Sequence, residues 1–141
     1  MSDLPTSVLG RTGATVTKLA YGAMELRGRV PGRGGRDISP ADAGAILNAV
    51  LDAGITLIDT SPDYGRSEEL IGEFISNRRS EFFLSSKCGC PVNPPEGERP
   101  PHVFTRAKVR AGVEQSLRRM KTDHIDLVQF HISPSRAELE K

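Results

Sequence analysis

The chain has 141 residues, 37% hydrophobic and 26% charged, with nineteen Lys and Arg against eighteen Asp and Glu for a formal charge of +1. That balance excludes the global positive field that draws nucleic acid or an anionic membrane, and no apolar run approaches the roughly 18 residues that cross a bilayer. The opening MSDLPTSVLG has no basic region followed by an apolar stretch, so no secretory signal is expected, and two cysteines, Cys88 and Cys90, suit a reducing, cytoplasmic setting better than a disulfide scaffold.

The turn residues Gly10 and Gly13, with short apolar pieces on either side, predict a hairpin over residues 7–17, and residues 19–24 then read as a separate buried strand. ELRGRVPGRGGRD at 25–37, with four Gly, four Arg and one Pro, reads as a loop. Ser39 can cap the first predicted helix, Pro40 suits its first turn, and Asp42 sits where a capping-box or dipole-compatible acid belongs. Ile46, Leu47, Val50 and Leu51 form its apolar stripe and Gly54 ends it. ITLID at 55–59 is apolar enough for a strand covered on both faces. A second helix begins near Ser67 with Leu70, Ile71, Phe74 and Ile75 inside, and FFLSSK at 82–87 supplies the next strand. A loop with five prolines fills 88–104. Thr105 then caps a third helix, along which Val109, Val113, Leu117 and Met120 recur at helical spacing. IDLVQFH at 125–131 is the fourth strand, and Ser133 with Pro134 announces a further helix.

Alternating strands and helices imply parallel strands with helical crossovers. Asp59, Lys87 and His131 end three successive strands, and Tyr64 lies in the loop leaving the first of these. Polar groups at the carboxyl ends of parallel strands converge on the functional face. Their chemistry is coherent: a lysine ammonium near a tyrosine favours phenolate, an aspartate fixes the lysine, and a histidine donates to a carbonyl oxygen. That set can protonate an oxygen as hydride reaches the adjoining carbon. Metal sites find less support, because Cys88-Gly89-Cys90 lacks a second pair for zinc, and no metal ligand is assigned. The glycine clusters carry no phosphate-binding signature.

At these residues the sequence resembles the aldo/keto reductase family. IDTSPDYGRSEELIG at 58–72 resembles the family's Asp-Thr, Tyr-Gly and Ser-Glu signature, and FFLSSK its lysine strand. VRAGVEQSLRRMKTDHIDLVQFH at 109–131 resembles the segment that delivers the histidine, and LGRTGATVTKLAYGAM at 9–24 the opening hairpin and first strand. The likeness runs in order from about residue 7 to 136, and TSPDYG resembles the branch with sugar and aldose dehydrogenases.

The resemblance implies the N-terminal half of a TIM (β/α)8 barrel, preceded by a short β-hairpin and holding four parallel strands. It implies NADP as cofactor, with NAD as the alternative, and a small carbonyl or alcohol as substrate. Tyr64 would be the general acid, Lys87 would depress its pKa, Asp59 would steady Lys87, and His131 would orient the carbonyl. Gly22, Ala23, Met24 and Asp59 would lie beside the nicotinamide. A complete barrel of this kind takes about 250 residues, so residues 1–141 are expected to be an incomplete domain: a truncated product, an incomplete gene model or a fragment. Weak activity is the corresponding expectation, a non-catalytic remnant or interaction module the alternative, and self-association through exposed barrel edges a further consequence.

Overall fold

The computed structural model describes residues 4–29, 35–95, 98 and 100–140. A hairpin of β1 (Thr6–Val8) and β2 (Thr15–Thr17) comes first, paired antiparallel with Thr6 opposite Thr17. Thr17 and Thr56 each donate a backbone N–H to the other's hydroxyl, both at 3.0 Å, which fastens the hairpin below the main sheet.

That sheet is parallel throughout, in the order β3 (Tyr21–Gly22), β4 (Leu57–Asp59), β5 (Phe83–Cys88) and β6 (Leu127–Phe130). The crossovers carry α1 (Pro40–Asp52), α2 (Ser67–Phe74) and α3 (Arg106–Met120), and α4 (Arg136–Leu139) follows β6. Hairpin and parallel sheet together are the N-terminal half of a (β/α)8 barrel, as the sequence leads one to expect. Strand alternation divides the sheet into two faces. Ile58 and Leu84 point at the helices and are fully buried, whereas Asp59, Ser85 and Lys87 share the other face.

The caps of α1 and α3 fall where they are predicted. Ser39 Oγ accepts the Asp42 N–H, and Thr105 Oγ1 accepts that of Lys108. Other boundaries move for local reasons. The predicted strand 19–24 shrinks to Tyr21–Gly22, because a 3-10 helix over Ala23–Arg27 tucks Ala23 and Leu26 into the core. The first three residues of the predicted loop 25–37 belong to that helix, and residues 30–34 of the loop lie outside the described residues. The fourth strand starts at Leu127 rather than 125, because the Asp126 carboxylate accepts the Leu84 N–H (2.7 Å) and Arg79 (2.5 Å). Ser135, not Ser133, caps α4, in a capping box with Glu138. A 3-10 helix over Ser76–Glu81 stands between α2 and β5, where the sequence suggests no element.

The predicted stripes are also rotated. On α1, Ala43, Gly44, Leu47 and Leu51 are buried and Ile46 is exposed. On α3 the packed face is Gly112, Gln115, Ser116 and Met120, leaving Val109, Val113 and Leu117 half-buried. Close contact of α2 and α3 demands this: a Cβ on Gly72 would stand 2.1 Å from the Arg119 carbonyl oxygen. Small residues let backbones approach that far, and bulky ones do not.

Candidate active site

The four residues singled out in the sequence sit at one end of the sheet. Asp59 is the last residue of β4, Lys87 the penultimate one of β5, and His131 follows β6 directly. Lys87 Nζ forms an ion pair with Asp59 and also donates to the Thr60 carbonyl at 3.2 Å. The same carboxylate oxygen accepts Ser85 Oγ at 2.8 Å and Gln129 Nε2 at 3.2 Å, and Gln129 donates to Ser85 Oγ at 2.8 Å. Ser85 and Gln129 were not singled out in the sequence. Alternation could have found them, since Ser85 shares a face with Lys87, and Gln129 is two residues before His131.

Tyr64 rides on a tight turn, its N–H bonded to the Ser61 carbonyl (3.0 Å) and its carbonyl to the Ser67 N–H (2.9 Å). Gly65 completes this turn with φ of 50°, close enough to Arg27 that an added Cβ would lie 2.6 Å from the Arg27 carbonyl. The Tyr64 ring meets His131 edge-on, with centroids 5.6 Å apart. Burial pushes the phenol above its ordinary value of 10.0, and the charges of Asp59, Cys90 and Asp63 push the same way. The Lys87 ammonium is engaged by Asp59 and Thr60, and the opposing cation at Tyr64 is Arg27.

His131 also belongs to a second group. Its Nδ1 lies 3.2 Å from Ser61 Oγ, 3.1 Å from Cys90 Sγ, 3.3 Å from Asp63 Oδ2 and 3.4 Å from His102 Nε2. His102 Nε2 in turn is 3.1 Å from Asp63 Oδ2. Desolvation lowers the His131 pKa while Asp63 raises it, and burial together with Asp63 pushes the Cys90 thiol up to about 12. Asp63 and His102 carry no signal in the sequence, and Cys90 is visible there only as half of a Cys-x-Cys pair.

The residues named for the cofactor divide. Ala23 is fully buried and its carbonyl accepts Ser67 Oγ at 2.9 Å, so its side chain faces the core. Gly22 and Met24 are exposed, and a Cβ on Gly22 would meet open space. Gly22 pairs in register with Asp59, so both stand at the same end of the sheet, with open space over Gly22.

A parallel β/α half-barrel with ionisable groups at the carboxyl ends of its strands is the class that fold and site define. Residues 18–141 match the aldo/keto reductase family of oxidoreductases, and the chain belongs to it. It is 34% identical over 148 residues to D-threo-aldose 1-dehydrogenase from a Pseudomonas species, a match covering 91% of this chain and 43% of that protein. Among solved structures, a candidate aldo-keto reductase from Pseudomonas aeruginosa superposes with a TM-score of 0.78 at 33% identity, covering 96% of this chain and 50% of that one. The holo form of an aldo-keto reductase from Bacillus halodurans gives 0.76 at 28% identity, covering 90% and 40%. The chain thus spans about half the length of the relatives it matches. No helix among the described residues is long and apolar enough to cross a membrane.

Proposed function

We propose that these strands form the catalytic half of an NADP(H)-dependent oxidoreductase, with NAD(H) as the alternative cofactor, that interconverts a small carbonyl compound and its alcohol. When bound, the nicotinamide supplies the hydride. Gly22 and Met24 would flank it, and Asp59 would hold Lys87 in place at its edge. Burial raises the Tyr64 phenol, which suits donation of its proton from Oη to a carbonyl oxygen. His131 would donate to the same oxygen, orienting it and drawing off charge as it develops. The observation that carries this reading is the convergence of the Asp59–Lys87 ion pair with the edge-on Tyr64 and His131 at the strand ends. The likeness to D-threo-aldose 1-dehydrogenase supports a sugar or similar polyol-derived carbonyl as substrate class.

Because the chain covers about half of those relatives, the activity is proposed for the barrel to which these strands belong, and the 141-residue chain alone is expected to hold cofactor weakly. Titration with NADPH and NADH followed by nicotinamide fluorescence, then turnover of aldoses, tests this. Tyr64→Phe should reduce turnover by about 10²–10⁴-fold without changing cofactor affinity; unchanged turnover overturns the assignment of Tyr64.

The exposed Val128, Phe130 and Ile132 on and beside the edge strand β6 favour a second reading. In it the chain is an interaction module that self-associates through that edge. Absence of binding at millimolar cofactor, with dimers seen by light scattering, supports that reading over the first.

A further inference from the structure

We propose that Asp63, Cys90, His102 and His131 form a binding site for a divalent metal ion of the zinc class. One ligand-type atom from each of the four lies within 4.8 Å of the other three. Bonds of about 2.0–2.3 Å to nitrogen, oxygen and sulfur give tetrahedral edges of about 3.3–3.7 Å. The known edges of this cluster are 3.1 Å (His131–Cys90), 3.3 Å (His131–Asp63), 3.4 Å (His131–His102) and 3.1 Å (His102–Asp63). The other two edges, from Cys90 to Asp63 and to His102, are at most 4.8 Å, so side-chain adjustments of up to about 1 Å bring all six into the tetrahedral range. Two imidazoles, a thiolate and a carboxylate are donors that zinc accepts, whereas magnesium and calcium require cages of oxygen.

The arrangement is built by the backbone. The Val103 N–H donates to the Gly89 carbonyl at 2.9 Å and closes the neck of the loop, which holds Cys90 and His102 side by side. Gly89 sits at φ of 85°, and an added Cβ would lie 2.0 Å from Phe104 Cε1, so the neck is also tightly packed. Asp63 enters from the β4–α2 loop, where its N–H donates to Ser61 Oγ at 3.2 Å. That hydroxyl is 3.2 Å from His131 Nδ1 and 3.7 Å from Cys90 Sγ, so it borders the cluster on the Asp63 side and would yield these two atoms to the ion.

On binding, the metal forms its bond to Cys90 Sγ as the thiol proton leaves to solvent. Coordination through Nδ1 confines the ring proton of His131 to Nε2, the tautomer that can donate to a carbonyl. That last consequence rests on the catalytic reading above; the metal site does not.

Cobalt(II) titrated into the phosphine-reduced 141-residue chain, without cofactor or substrate, tests the site independently of catalysis. The expected result is one equivalent bound, with a thiolate-to-cobalt charge-transfer band and the intense visible bands of a four-coordinate ion, both erased by zinc. Cys90→Ser should abolish the charge-transfer band and Cys88→Ser should keep it; His102→Ala should weaken affinity at least tenfold. A pale octahedral spectrum without the band in the unaltered chain overturns the proposal whatever the variants do. So does a band that survives in Cys90→Ser.

Discussion

The helix-covered side of the sheet and the β6–α4 side contain similar apolar residues with opposite fates. Under α1, α2 and α3, Leu47, Ile58, Ile71, Leu84 and Met120 are almost wholly buried in one cluster. Along β6 and beyond, Val128 (38% exposed), Phe130 (48%), Ile132 (52%) and Leu139 (59%) remain at the surface. The difference lies in covering elements rather than in composition. In the parallel sheet, each of β3 to β5 neighbours another strand on both sides or is backed by a full crossover helix, whereas β6 is an edge strand followed by a helix of four residues. Hydrophobicity supplies the drive to bury, and topology decides which residues get a partner.

Four experiments bear on that contrast, and the largest effect is expected on the closed side. Leu84→Ala should cost about 2–5 kcal/mol in urea unfolding, because fully buried leucine leaves a cavity. Gly72→Ala comes next, at about 1–3 kcal/mol, since the added methyl meets backbone of α3 rather than a flexible side chain. A smaller, pH-dependent effect is expected from Glu68, also on this side. It is buried, accepts Ser86 Oγ at 2.9 Å and faces Arg119 Nη1 at 3.4 Å. Burial raises its pKa against those partners, so the folded state holds this proton more tightly than the unfolded one. Its stabilising contribution is full below the ordinary carboxylate range and is lost as pH rises through the raised folded value. Glu68→Gln should flatten that decline, as thermal melts at a series of pH values would reveal; an unchanged slope would remove Glu68 from the account. Last, Phe130→Ser on the open side should cost about 0.5–1.5 kcal/mol, the worth of its edge-on pair with Phe104 at 5.2 Å, while reducing any self-association in light scattering. A loss comparable to that of Leu84→Ala would mean that the open side is not open in solution.

Much of the site could be read before the fold was known, because it depends on periodicity and order. Asp59, Lys87 and His131 are found by locating strand ends, and parallel topology brings strand ends together whatever the loops do. Lys87 does reach Asp59, and His131 does face Tyr64. The direction of the Tyr64 shift could not be read in the same way. It depends on how far the ring is buried and on which neighbour already holds the lysine, and both are set by packing. The group of Asp63, Cys90, His102 and His131 was beyond reach for a related reason. Its members come from three loops, and their separations along the chain follow no metal-binding spacing.

The sequence alone thus determined the β/α alternation, the helix caps at Ser39 and Thr105 and the row of ionisable groups at the strand ends, with the half-barrel class following from the family resemblance. The first three follow from local propensity, side-chain period and the right-handed parallel crossover, none of which requires distant contacts. Only tertiary structure decided that Ala23 faces the core rather than the opening, that Gln129 and Ser85 share the carboxylate of Asp59, and that His131 sits in two clusters at once. Those outcomes depend on loop closure and on competition for the same atoms, which are properties of the packed chain and of no segment within it.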